Sequence, residues 1–159
     1  MSSIATTTAI PLEALDVVRA AAVRRKSILP GEKDEFPLAL ARHGRALELF
    51  EHPGQLLTTV LAFLAARRGV DLRRSRHDEE ARAISRARGS TFLFLGEEHV
   101  PLAGMLTDAE VEATTAELAA FAGASAGPEV GEAMCEGIRF LRRAVEAVGP
   151  GTVVLLAIL

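Results

Sequence analysis

Residues 92 to 104 read FLFLGEEHVPLAG, and within them Glu97, Glu98 and His99 stand in a row behind a short apolar run. A glutamate and a histidine held within hydrogen-bond reach of a substrate can act as general base and general acid. The same groups can bind a metal ion. In a strand, however, neighbouring side chains point to opposite faces, so Glu97 and Glu98 would not both face one ion. The competing reading is a solvated hairpin turn, Gly96-Glu97-Glu98, between Leu95 and Val100, and the weak spacing favours it.

The other reactive residue types are scattered. His43, His52 and His77 form neither H-x-x-x-H nor H-E-x-x-H, so no local zinc signature exists and no metal site is assigned. His52 precedes Pro53-Gly54 and reads as a helix-end histidine facing the C-terminal dipole. His77 lies in a charge-rich stretch and reads as solvated. A composite site of His43, His52 and His99 would need the fold to bring them together. Cys135, the single cysteine, sits beside the inward stripe of a predicted helix, where a free thiol behaves as a small buried hydrophobe. No G-x-S-x-G elbow is present. The glycine pair around 123–127 lacks the lysine of a phosphate loop, and no cofactor motif is found.

The densest chemistry is cationic. Arg67, Arg68, Arg73, Arg74, Arg76, Arg82, Arg86 and Arg88 fall in one segment. Such a run can bind phosphates in a salt-dependent way. Here the chain is acidic overall, at −3, and the segment has no aromatic residue on which a base could stack, so nucleic acid is disfavoured. Glu79 and Glu80 lie among the arginines at spacings that suit helical ion pairs. The two readings are a self-paired solvated surface and a contact surface for an acidic protein, with Arg73, Arg74, Arg76, Arg82 and Arg86 as partner-binding residues. The acidic region of a second copy would also fit. Residues 1–88 hold 15 Lys/Arg against 11 Asp/Glu, and residues 89–159 hold 3 against 10.

The elements that must position these groups follow from pattern. The length, 159 residues, suits one domain, and 49% apolar residues suffice for a core without disulfides. With seven Phe and neither Trp nor Tyr, that core is aliphatic. The β-branched run at 3–10 predicts a strand, followed by a helix opened by Pro11 and ended by Arg24-Arg25-Lys26 and a break at 27–31. A polar loop is expected at 31–36, then a helix over 37–50, weakened by Gly44. Leu56, Leu57, Val60, Leu61 and Leu64 predict a helix over 55–68, closed by Gly69. Residues 71–88 predict a loop and a short exposed helix. A buried strand is expected at 91–95. Thr107 and Glu110 form a capping box that starts a helix to about residue 122. A further helix is expected over 128–148. The terminal run TVVLLAIL would be an aggregation hazard if left free, so it belongs in a central strand, paired with the first strand and the one at 91–95. No stretch is apolar for the roughly 20 residues a bilayer span requires, the N-terminus lacks the pattern of a secretory signal, and a single thiol suits a reducing compartment; the chain reads as cytoplasmic.

Several of these segments share a flavour and order with a known group. They are the first strand followed by "PLEAL", the mid-chain "FLFLG", "PLAGMLTDAEVEATTAEL", and the closing "FLRRAVEAVGPGTVVLLAIL". The layout resembles the YfbM-like family of bacterial proteins, best from residue 92 onward. The resemblance implies an α+β fold and no settled activity, and it carries over no functional residue. The expectation is a single α+β domain, residues 1–159, with about five helices on a small sheet that includes the C-terminal strand. Two functions are compatible with it. One is a non-catalytic protein-interaction module of inhibitor or immunity type. The alternative is a small enzyme or ligand binder with its site near Glu97, Glu98 and His99.

Overall fold

The computed structural model describes residues 3–24, 34–104, 107–123 and 127–159. The expectations for Arg25, Lys26, the break at 27–31 and the centre of the loop at 123–127 fall outside them. Four strands form one antiparallel sheet: β1 (Ala5–Pro11), β2 (Arg45–Leu49), β3 (Thr91–Leu95) and β4 (Thr152–Ile158), in the order β2-β1-β4-β3. The two chain ends pair along their whole length, from Ala5 opposite Ile158 to Pro11 opposite Thr152. On its other side β4 takes β3, from Thr91 opposite Ile158 to Leu95 opposite Val154. The terminal apolar run is therefore a central strand, as its composition requires.

Because β4 is apolar on both sides, both faces of the sheet need cover. Val153, Leu155 and Ala157 face one way, with Ile10, Phe92 and Phe94. They are covered by α1 (Leu15–Val23), α2 (Glu35–His43) and α4 (Asp78–Arg88), through Val18, Phe36, Ala81 and Ile84. Val154, Leu156 and Ile158 face the other way, with Ala5 and Leu95. There α3 (Gln55–Arg68) and α8 (Pro128–Glu146) lie on them, with α6 (Asp108–Ala113) and α7 (Thr115–Ala122) packed alongside through Val111 and Leu118. The short α5 (Val100–Ala103) brings the described helices to eight. The result is a mixed α+β fold with helices on both sides of the sheet.

Three local expectations are corrected. The helix predicted over 37–50 starts earlier, at Glu35 behind the Asp34 N-cap, and stops at His43; 45–49 is the edge strand β2. Gly44 is the hinge. A Cβ there would lie 2.7 Å from Thr8 Cγ2, 2.8 Å from the Leu40 carbonyl and 3.2 Å from that of Ala9. Only a glycine lets the turn approach β1 this closely. The helix from the capping box is broken at Thr114, whose hydroxyl donates to the Val111 carbonyl at 2.6 Å, while that of Thr115 donates to Glu112. Two successive threonines bonding back to the preceding turn divide it into α6 and α7. Finally, α4 is not merely exposed. Ala81 and Ile84 are buried, and the Ser85 hydroxyl takes the Phe92 N–H at 2.9 Å and donates to the Phe92 carbonyl at 3.3 Å. That bond pair ties α4 to the outer edge of β3 and blunts the edge.

Gly44 offers a direct check. In a helix interior, alanine would be about 1 kcal/mol better than glycine. Against the backbone of β1 and α2 it is overpacked, so Gly44→Ala is expected to lose about 1–3 kcal/mol, measured by urea unfolding.

Candidate functional site

The segment after β3 is not a hairpin tip. Gly96 is extended, Glu97–His99 makes a single 3-10 turn, and the chain runs directly into α5. This turn separates the three candidate residues. Glu97 is exposed, Glu98 is half-buried and His99 is 2% exposed. The His99 ring stands between two main-chain groups. Its Nδ1 accepts the Gly96 N–H at 3.0 Å, and its Nε2 lies 2.8 Å from the Arg74 carbonyl oxygen. An amide N–H can only donate and a carbonyl can only accept, so the ring is neutral with its proton on Nε2. With both nitrogens engaged, His99 has no proton site free for a bound molecule in this arrangement.

Glu98 reaches the same loop. Its Oε1 accepts the Arg76 N–H at 3.0 Å, and the Arg76 guanidinium lies 4.0 Å from Oε2. Burial pushes this carboxyl up. The hydrogen bonds from Arg76 N–H and from its own N–H, with the charge of Arg76, outweigh that and hold it below the ordinary carboxylate value. Asp71 behaves alike: burial raises it, and hydrogen bonds and charge from Arg73, with the charge of Arg74, bring it down overall.

Residues 69–77, which these groups hold, link α3 on one face of the sheet to α4 on the other. Gly69 closes α3 in the left-handed conformation, φ 68°. Val70 and Leu72 are buried anchors. Asp71 Oδ1 accepts the Arg73 N–H at 3.1 Å, Asp78 Oδ1 that of Ser75 at 2.8 Å, and Ser75 Oγ that of His77 at 2.9 Å. The loop therefore has a nearly continuous framework, although its sequence is polar. No sequence signal marked Asp71, Ser75 and Asp78 as its builders beyond their general fitness for turns.

The arginines divide into two groups. Arg88 grips Asp34 through both guanidinium ends and lies 5.0 Å over the Phe36 ring, joining α4 to α2. Arg68 pairs with Glu117 at 2.8 Å, and Arg67 stacks on Phe121. These serve the fold. Arg74, Arg76 and Arg82 have only loose ion pairs at 3.6–4.0 Å, and their side chains stay 87%, 71% and 72% exposed. Arg73 pairs with Asp71 at 3.1 Å and is half-exposed, and Arg86 is exposed on α4.

The remaining candidates do not converge. His43 lines a groove between α1 and α2. His52 follows a strand instead of ending a helix; it sits edge-on to Phe50 and borders an acidic cleft of about 580 Å³ with Glu112, Glu129, Glu132 and Glu136. His77 is half-buried, with its ring against Phe94, and not freely solvated. Cys135 is buried, its thiol 3.3 Å from the Val111 carbonyl. Among the described residues no group of three or more His, Cys, Asp or Glu is arranged to hold a metal ion, and no helix is long and apolar enough to cross a membrane. No family model, no curated protein and no solved structure matches the chain. The YfbM-like resemblance thus rests on the order of elements alone.

Two results follow for the latch. His99→Leu leaves the buried Gly96 N–H and the half-buried Arg74 carbonyl without their partner, and the buried amide alone costs about 1–3 kcal/mol; denaturant unfolding measures the loss. Glu98 has a depressed carboxyl in the fold. Its contribution is present above the ordinary value of 4.5 and is lost as pH falls through the lower folded value. The stability gap between the native chain and Glu98→Gln is therefore expected to close as pH falls below that value into stronger acid.

Proposed function

We propose that the chain is a non-catalytic protein-interaction module of inhibitor or immunity type, acting in the cytoplasm. Its contact surface is the arginine-bearing segment, with Arg73, Arg74, Arg76, Arg82 and Arg86 as the binding residues and an acidic protein as the partner. One observation carries this reading: the backbone of 70–78 is fastened by buried anchors and hydrogen bonds, while the guanidiniums of its Arg74 and Arg76, and of Arg82 on the helix that follows, are left in water. A surface ordered before binding loses less entropy when it docks. Guanidiniums are also suited to paired hydrogen bonds with carboxylates, and a cationic patch speeds encounter with an acidic partner. The neutral, fully engaged state of His99 adds to the case for a scaffold at this turn in place of an acid–base pair. The surroundings of Arg88, Arg68 and Arg67 show what the fold does with arginines it uses internally, and Arg74, Arg76, Arg82 and Arg86 are not treated that way.

The test is a charge reversal. The triple variant Arg74→Glu, Arg76→Glu, Arg82→Glu leaves Val70, Leu72 and the His99 latch in place. A partner that co-purifies with the native chain at about 0.1 M salt, where the Debye length is about 10 Å, is expected to be lost from the variant and weakened by high salt. Equal retention by both proteins would contradict the assignment.

A further inference from the structure

We infer that His99 is a proton-operated release for the arginine-bearing loop. The inference rests on reading that loop as the contact surface, and it names how the surface is regulated. The neutral ring fits its place because one nitrogen accepts from Gly96 and the other donates to Arg74. An imidazolium has two donors and no acceptor. Protonated, the ring sets Nδ1–H against the Gly96 N–H at 3.0 Å, in a site 2% exposed to water. The ring must then find an acceptor. Glu98 is at hand: its carboxylate lies over Gly96, with Oε2 2.6 Å from where a Cβ on that glycine would stand. If this carboxylate turns to the imidazolium, it leaves the Arg76 N–H that it now accepts. One proton thereby breaks the ring's bond to Gly96 and draws Glu98 away from Arg76, while the bond to the Arg74 carbonyl keeps its donor.

The charged groups about the turn are few. Glu98 adjoins the ring in sequence, and Arg73, Arg74 and Arg76 stand on the loop that the turn holds. Asp71 is occupied by Arg73 and Arg74, and Asp78 by Ser75 and Arg82. Glu97 is exposed on the turn, and His77 stands against Phe94. Helix α5 has no charged residue, and α8, packed on it, holds Arg139 and Arg142 against Asp108. Glu98 itself is held below 4.5, so it stays ionised through the range where a histidine titrates.

Amide hydrogen exchange of the whole chain, corrected for intrinsic rates, tests this. Between about pH 7.5 and about pH 5.5 the protection of Gly96 and Arg76 is expected to fall about tenfold or more, the equivalent of one lost buried hydrogen bond, while that of Leu155 and Leu156 in β4 holds. His99→Asn keeps a side-chain acceptor and does not titrate, so its protection should be flat with pH. Unchanged protection in the native chain, or the same fall in His99→Asn, would overturn the proposal and in the second case assign the change to His77. If the variant does not fold, side-chain nitrogen shifts of His99 and His77 in the native chain make the same distinction. Partner capture is scored separately. A loop that opens without affecting capture sinks the contact-surface reading and leaves the switch; a loop that stays shut with capture intact sinks the switch alone.

Discussion

The terminal strand governs the rest. Val153 to Ile158 is apolar at every position, and in a strand this places hydrophobic surface on both faces of the sheet. Each face must be covered, and one chain has to supply both helical layers. The chain therefore changes sides. Helix α3 is buried on the face of Leu156, and α4 on the face of Leu155. The segment between them must pass the end of β3, and there it meets Glu98 and His99. The order in residues 69–77 is thus a consequence of how β4 is buried.

That crossing could have been made with an apolar loop. It is made instead with a polar one whose main chain is satisfied by its own Asp71, Ser75 and Asp78 and by the turn after β3. Buried main-chain groups need partners, and a neutral histidine supplies one acceptor and one donor at once. The side chains of Arg74 and Arg76 are left with only loose ion pairs, and these carry the exposed guanidiniums of the loop. The acidic residues of the second half are handled differently. Arg139 and Arg142 on α8 draw Asp108, Glu112, Glu136 and Glu146 into ion pairs, so much of that charge is answered within the chain.

Much of the fold was legible because hydrophobic pattern is local. TVVLLAIL declared a doubly covered strand, FLFL a short buried one, and the stripe at 56–64 a helix whose end at Gly69 was also readable. Strand β2 was not legible. Leu38, Leu40, Leu47 and Phe50 suit a helical period, and what stops the helix is the approach of Thr8 and Ala9 to Gly44, residues distant in the chain. The seat of α4 was hidden because Ala81 and Ile84, with Ser85 bonded to Phe92, suffice to fix it among charged neighbours. The role of His99 was hidden for a more basic reason. Its partners are a carbonyl and an amide, which every residue has, so no side-chain identity at Arg74 or Gly96 announced them.

The central claim is that residues 73–77 form an ordered platform before any partner arrives. Backbone nitrogen relaxation of the free chain near neutral pH tests it most directly. The account predicts order parameters for Arg74, Arg76 and His77 close to those of β4, about 0.85. Values below about 0.6, typical of a flexible loop, would contradict it and remove the basis for treating these arginines as a preformed surface.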